Sequence, residues 1–205
     1  MILKDEGKIV AGCKSQKSKW QKNLFDQTVD YMRSVCFRYA NNSGDTDDIL
    51  QEGYIKVFDN IAQLEWKSEG VLYSWVKRIM VNTAIDFYRK RNRHIDDSAE
   101  LDNLIEEPEE ENGYSDSDFS KKDISVHAIF ASDLSESELI GAVQKLPQPF
   151  RTTFNLFAIE GLKHKDIAEI QDISIKTSTT RVLRAKKLLQ QIIAEVCAKK
   201  ITSIA

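Results

Sequence analysis

The sequence predicts an all-α protein of two small helical domains joined by a flexible acidic linker, the C-terminal domain being a helix-turn-helix. Three observations predict this. On either side of the chain's centre, apolar residues recur at spacings of three and four, the period of a helix with one buried face. Glycine and proline, which interrupt helices, number only 8 and 3 among 205 residues. The centre differs in kind. Between residues 95 and 123, twelve acids (Asp96, Asp97, Glu100, Asp102, Glu106, Glu107, Glu109, Glu110, Glu111, Asp116, Asp118, Asp123) stand against Lys121 and Lys122, with Pro108, Gly113 and little periodicity. Such a segment buries too little apolar surface to fold alone.

Residues 1–20 come first; the opening ten are mixed in charge and lack the apolar run of a secretory signal, so nothing directs export and a cytoplasmic location is expected. They read as a tail, mobile or ordered by a partner. Residues 21–94 form the first domain. Within it, residues 45–64 separate into two helical faces, with Leu50, Tyr54, Val57, Phe58 and Ile61 on one side. Asp48, Gln51, Glu52, Ile55 and Asp59 share the other; an exposed isoleucine among carboxylates suits protein docking. The run Asp45-Thr-Asp-Asp is not a calcium loop, since Lys56 stands where the terminal glutamate belongs.

The next helix, residues 70–93, carries a buried stripe of Leu72, Val76, Ile79, Met80, Thr83 and Phe87. Beside it runs a second stripe of Trp75, Arg78, Asn82, Asp86, Arg89 and Arg93. An aromatic, an amide and several arginines along one helix suit unpaired bases and their phosphates. Trp75 fits the domain core equally well, and Asp86 can pair with Arg89 or Lys90 one turn on. The linker spans residues 95–132 and ends in an apolar patch of Ile124, Val126, Ile129 and Phe130.

Residues 133–205 form the second domain. Gly161 closes one helix, Ala168 is small where two helices meet, and Ile167, Ile170 and Ile173 surround a turn. Ser174 caps the following helix, whose inward face is Val182, Ala185, Leu189, Ile192 and Val196. Its other face offers Lys176, Thr177, Thr179, Thr180, Arg181 and Arg184, groups suited to base edges and phosphates in a DNA major groove. Asp172 occupies the usual place of a turn glycine and tolerates the left-handed conformation. Gln171 and Ser178 stand where apolar residues are usual.

The net charge of -3 argues against nucleic acid until its distribution is considered, because basic helices flank an anionic strap. Cys13, Cys36 and Cys197, and the three histidines, are scattered without ligand spacing. No metal, cofactor or small-molecule substrate is called for, and the cysteines read as reduced bystanders.

Residues 47–58 (Asp-Asp-Ile-Leu-Gln-Glu-Gly-Tyr-Ile-Lys-Val-Phe) and 73–90 (Tyr-Ser-Trp-Val-Lys-Arg-Ile-Met-Val-Asn-Thr-Ala-Ile-Asp-Phe-Tyr-Arg-Lys) resemble the core domain of bacterial sigma factors. The run Leu146-Pro-Gln-Pro-Phe-Arg-Thr-Thr-Phe-Asn-Leu, with Ile159-Glu-Gly and the helix-turn-helix, resembles their promoter-reading domain. Two domains and a short linker point to the extracytoplasmic-function (ECF, group IV) subgroup of the sigma-70 family. The resemblance implies a factor without catalysis of its own that binds core RNA polymerase and promoter DNA and answers to an anti-sigma factor. It further implies that Asp48, Gln51, Glu52 and Ile55 dock on the clamp helices of the polymerase's largest subunit. Trp75, Arg78, Asn82, Asp86 and Arg89 would melt and hold the -10 element, and the loop at residues 65–70 would receive a flipped-out base, with Trp66 as a stacking platform or folded back on the domain. Lys176, Thr177, Thr180 and Arg181 would lie nearest the -35 bases, and Arg184 nearer phosphate.

Two rivals stand beside this. A ligand- or partner-responsive helix-turn-helix repressor would bind a palindrome as a dimer, yet has no use for the cationic stripe at residues 75–93. A nuclease or hydrolase built on Asp47, Asp48 and Glu52 lacks a convergent His or Lys. The charge map makes one prediction: deleting residues 95–120 raises non-specific DNA affinity, measured by anisotropy with random duplex at fixed salt. Equal affinities would contradict it.

Overall fold

The computed structural model describes residues 3–92 and 134–202, which fall into two separate units, 1–93 and 94–205. Arg93 and the whole expected linker, residues 95–132, lie outside the described residues. The described part is all-α. The first unit holds α1 (Glu6–Lys14), α2 (Ser18–Tyr39), α3 (Ser43–Asn60), a 3-10 turn (Ile61–Gln63) and α4 (Val71–Asn92). The second holds α5 (Glu136–Gln144), α6 (Gln148–Phe154), a π-helical turn (Asn155–Ile159), α7 (His164–Gln171) and α8 (Ile175–Thr202).

The first unit is built around α2, α3 and α4, which pack pairwise. Met32, Val35 and Cys36 from α2, Ile49 and Val57 from α3, and Leu72, Val76, Met80 and Ala84 from α4 are fully buried. Burying each large side chain stabilises by about 1.5–3 kcal/mol. Gly53 leaves room for the Met80 side chain between α3 and α4: a Cβ there would lie 2.3 Å from Met80 Sδ. Polar ties add register. Asn42 caps α3 by accepting from the Asp45 amide at 2.8 Å. The Tyr88 hydroxyl donates to buried Asp45 at 2.9 Å and accepts from the Asn41 amide at 2.8 Å. Ile79 and Phe87, expected in the buried stripe, are only half-buried, while Val81, Ile85 and Tyr88 join it.

The expected tail is the main correction. Residues 6–14 are helical and α1 packs on α2 and on the 3-10 turn, burying Leu3, Ile9, Val10 and Cys13. A nine-residue helix is marginal alone, so docking holds it, and charge composition does not reveal docking. Gly12 makes that docking possible, because a Cβ there would fall 2.0 Å from Trp20 Cδ1. Burial pushes the Cys13 thiol up to about 11 and that of Cys36 to about 12, so both remain unreactive thiols.

In the second unit, Ala142, Val143, Leu146, Phe150 and Phe154 close against Ala185 and Leu189 of α8. Ser135 and Glu138 form a capping box at the start of α5. Glu138 also meets Lys200 at 2.9 Å, tying the two ends of this unit's chain together at the surface.

Replacing Gly12 with alanine should therefore destabilise the protein by about 1–3 kcal/mol through overpacking against Trp20, even though alanine favours an isolated helix by about 1 kcal/mol. Urea unfolding measures this. A variant as stable as the parent would show that α1 does not dock as described.

Candidate nucleic-acid interface

Three surfaces carry the predicted residues. On α3, Asp48, Gln51 and Ile55 are exposed together, with Ile55 at 54%. Their exposure follows from the helical period, which puts Leu50, Tyr54 and Val57 inside. Glu52 departs from the expectation. It is half-buried and engaged by Lys56 at 2.9 Å and by Lys90 of α4 at 3.6 Å. The hydrogen bond from Lys56 first, then the neighbouring positive charges, hold its carboxyl below the ordinary range. Glu52 is thus a tie between α3 and α4 as well as a member of the acidic face. Asp47, invoked with it for hydrolysis, is paired with Arg33 of α2.

On α4, Arg78, Asn82 and Arg89 are exposed, while Trp75 and Asp86 are half-buried. Asp86 lies 3.8 Å from Lys56 on α3, a partner that sequence spacing along α4 does not suggest. Trp66, in the loop before α4, is 39% exposed, and its indole Nε1 donates to Glu6 of α1 at 3.1 Å. The loop tryptophan folds back onto the domain while keeping part of its surface open.

The third surface is the helix-turn-helix. α7 ends at Asp172, which takes the left-handed conformation (φ 57°, ψ 50°), and the Ile173 amide closes the turn on the Ala168 carbonyl at 3.1 Å. Ser174 then caps α8 by accepting from the Thr177 amide at 2.9 Å. The two helices pack together, and Ile167 and Ala168 of α7 and Val182 of α8 are buried. The two polar residues at usually apolar places are each matched. Ser178 is hydrogen-bonded to His164 Nδ1 at 3.0 Å, both buried, and Gln171 Oε1 accepts from the Thr153 hydroxyl at 2.9 Å. The His164 ring stacks on Phe157 with centroids 4.7 Å apart, and Lys186 Nζ lies 5.9 Å from the Phe157 centroid.

The expected recognition face needs correction at two residues. Lys176 is exposed and Thr177 and Thr180 half-buried, but Arg181 and Arg184 are buried at 8% and 7% exposure. Arg181 stands three residues after Ser178 and four before Ala185, both fully buried, so it lies at the margin of the buried seam rather than opposite it. Arg184 follows one turn on. A group missed from sequence is Ile175, 54% exposed as the first residue of α8, where it offers an apolar contact of the kind a thymine methyl accepts. The signal was an aliphatic residue directly after the capping serine.

The family described as Sigma-70 region 2 matches residues 24–94, and that described as Sigma-70, region 4 matches residues 136–189. The chain is similar to the ECF RNA polymerase sigma-E factor of Haemophilus influenzae, with 30% identity over 167 residues, covering 82% of this chain and 84% of the relative. It is also similar to the RNA polymerase sigma-H factor of Pseudomonas aeruginosa, at 29% identity over 175 residues, 83% and 86% of the two chains. Among solved structures, the sigma factor RpoE in complex with the anti-sigma factor NepR from Bartonella quintana aligns at a TM-score of 0.47 and 20% identity, covering 84% of this chain and 96% of that one.

Removing the Ser178 hydroxyl takes away the partner of a buried imidazole nitrogen. Ser178→Ala should cost about 1–3 kcal/mol in urea unfolding, and His164→Phe with Ser178→Val together should cost less than the two single losses summed. Additive losses would show that the pair does not act as a unit.

Proposed function

The chain belongs to the sigma-70 family, among its extracytoplasmic-function members, and from that premise we propose how its surfaces divide the work of starting transcription. It is a factor that binds core RNA polymerase and directs promoter recognition, -10 melting and initiation. Asp48, Gln51, Glu52 and Ile55 of α3 dock on the clamp helices of the largest subunit. The observation that carries this is an isoleucine 54% exposed in the centre of an acidic face. An apolar anchor ringed by charge is the composition of an interface centre with its rim.

The outer side of α4, with Trp75, Arg78, Asn82, Asp86 and Arg89, together with Trp66, takes the unpaired -10 strand. Arginines meet phosphate and the aromatic and amide groups meet bases. Stacking worth about 1–3 kcal/mol per base offsets the loss of duplex stacking, so melting is driven by capture of the opened strand. α8 enters the major groove of the -35 duplex, with Lys176, Thr177 and Thr180 toward the bases and Ile175 beside them. The protein catalyses nothing itself and acts in the cytoplasm with the polymerase. An anti-sigma factor completes the partners, as the family implies. The dimeric repressor reading is not favoured: it leaves the α3 docking face and the α4 stripe without a task.

Run-off transcription with core polymerase on a promoter library tests the role and the sequence preference together, and a specific start with this chain added is expected. Ile55→Ala should weaken core binding by roughly tenfold or more if it is the interface anchor, with helicity unchanged. Glu52→Lys is the poorer probe, because it also sets a third cation beside Lys56 and Lys90. No transcript from any promoter, or undiminished core binding by Ile55→Ala, would contradict the assignment.

A further inference from the structure

Glu6 is 2% exposed, an ionisable side chain in the middle of apolar packing. Burying a carboxylate is costly unless hydrogen bonds meet its charge. Here three donors do so, two from the loop before α4 and one from its first turn. Oε1 accepts from the Leu72 amide at 2.7 Å and from the Trp66 indole at 3.1 Å, and Oε2 accepts from the Gly70 amide at 2.8 Å. Gly70 reaches this position through a left-handed backbone, φ 86°. The Leu72 amide is one of the donors that a helix N-terminus leaves unsatisfied, so Glu6 caps α4 from another helix.

Gly7 adds a second, independent contact. A Cβ at that position would lie 2.8 Å from Trp66 Cη2 and 3.2 Å and 3.3 Å from Cζ3 and Cζ2. The benzo ring of Trp66 therefore rests on bare backbone of α1, and its remaining 39% exposure is presented outward. Adjacent residues of α1 grip one tryptophan by two different means, one through its N–H and one through the space beneath its ring.

We propose that α1 is a positioning clamp for -10 base capture: Glu6 and Gly7 hold the loop at residues 65–70 in one conformation with the outer surface of Trp66 offered to an unpaired base. This rests on the assignment of that loop to the -10 strand. The physical gain is preorganisation. Fixing a loop backbone costs conformational entropy, and a loop already held by Glu6 does not draw that cost from base binding. Glu6 and Gly7 are positioning residues and touch no DNA themselves.

Two variants separate the clamp from a general loss of fold. Glu6→Gln keeps the size but turns an acceptor into an amide that faces N–H donors, so at least one of the three bonds breaks. Gly7→Ala keeps the carboxylate, favours the helix intrinsically, and displaces the indole. Two readouts are needed. In free protein, Trp66 emission and acrylamide quenching are taken as the difference from a Trp66→Phe protein. In holoenzyme on a promoter selected by run-off, opening is followed by 2-aminopurine in the non-template -10 strand, with core affinity measured in parallel. Both variants should expose Trp66 to quencher and slow opening by about tenfold, the scale of one lost stacking contact, with core affinity retained. Opening at the parent rate in Gly7→Ala once its Trp66 has moved, unmoved Trp66 in both variants, or slowing that only tracks lost core binding would each overturn the proposal. A parent holoenzyme that opens no promoter would instead bring down the reading beneath it, whatever the fluorescence shows.

Discussion

The close crossing of α3 and α4 at Gly53 is the constraint on which the first unit depends. A Cβ at Gly53 would lie 2.3 Å from Met80 Sδ, so any larger residue would require the Met80 thioether to move or the helices to separate. That close contact lies between two faces with opposite chemistry. The α3 face is acidic with an isoleucine at its centre, and the α4 face carries Arg78, Asn82 and Arg89. The ties from Glu52 to Lys90 and from Asp86 to Lys56 join the same two helices, while Lys56 also meets Glu52 one turn away within α3. These exposed and half-exposed pairs contribute little stability individually. Their consequence is geometric, since they turn Lys90 of α4 toward α3 and Lys56 of α3 toward α4.

A similar economy holds in the helix-turn-helix. Its helices bury small and branched apolar residues, but Ser178 with His164 and Gln171 with Thr153 replace apolar packing by matched hydrogen bonds. A buried polar pair specifies one arrangement because an unmatched partner is expensive. At the start of α8, Ser174 caps the first turn and Ile175 and Lys176 are exposed.

Much of this was legible in the sequence, and the failures have physical causes. The two faces of α3 and the inward side of α8 follow directly from the helical period. Ser174 as a cap and Asp172 in the left-handed conformation follow from side-chain and backbone chemistry. α1 was missed because its stability comes from docking: glycines at positions 7 and 12, which weaken a helix taken alone, are there to admit Trp66 and Trp20. Arg181 and Arg184 were misplaced because a long side chain at the edge of a buried seam can lay its aliphatic stem along apolar surface, so charge alone does not imply exposure. The partners of Glu52 and Asp86 are distant in sequence, and spacing along one helix cannot find them.

The central claim is that one helix of this protein takes an unpaired strand and another reads a duplex within the same promoter complex. Site-specific photo-crosslinking in the holoenzyme addresses it most directly, with the crosslinker placed once at Asn82 and once at Lys176, both exposed. The account predicts that Asn82 labels the non-template strand at the -10 element only when that element is single-stranded, and that Lys176 labels the -35 duplex whether or not the promoter is open. Labelling of intact duplex by Asn82, or of no promoter DNA from either position, would contradict it.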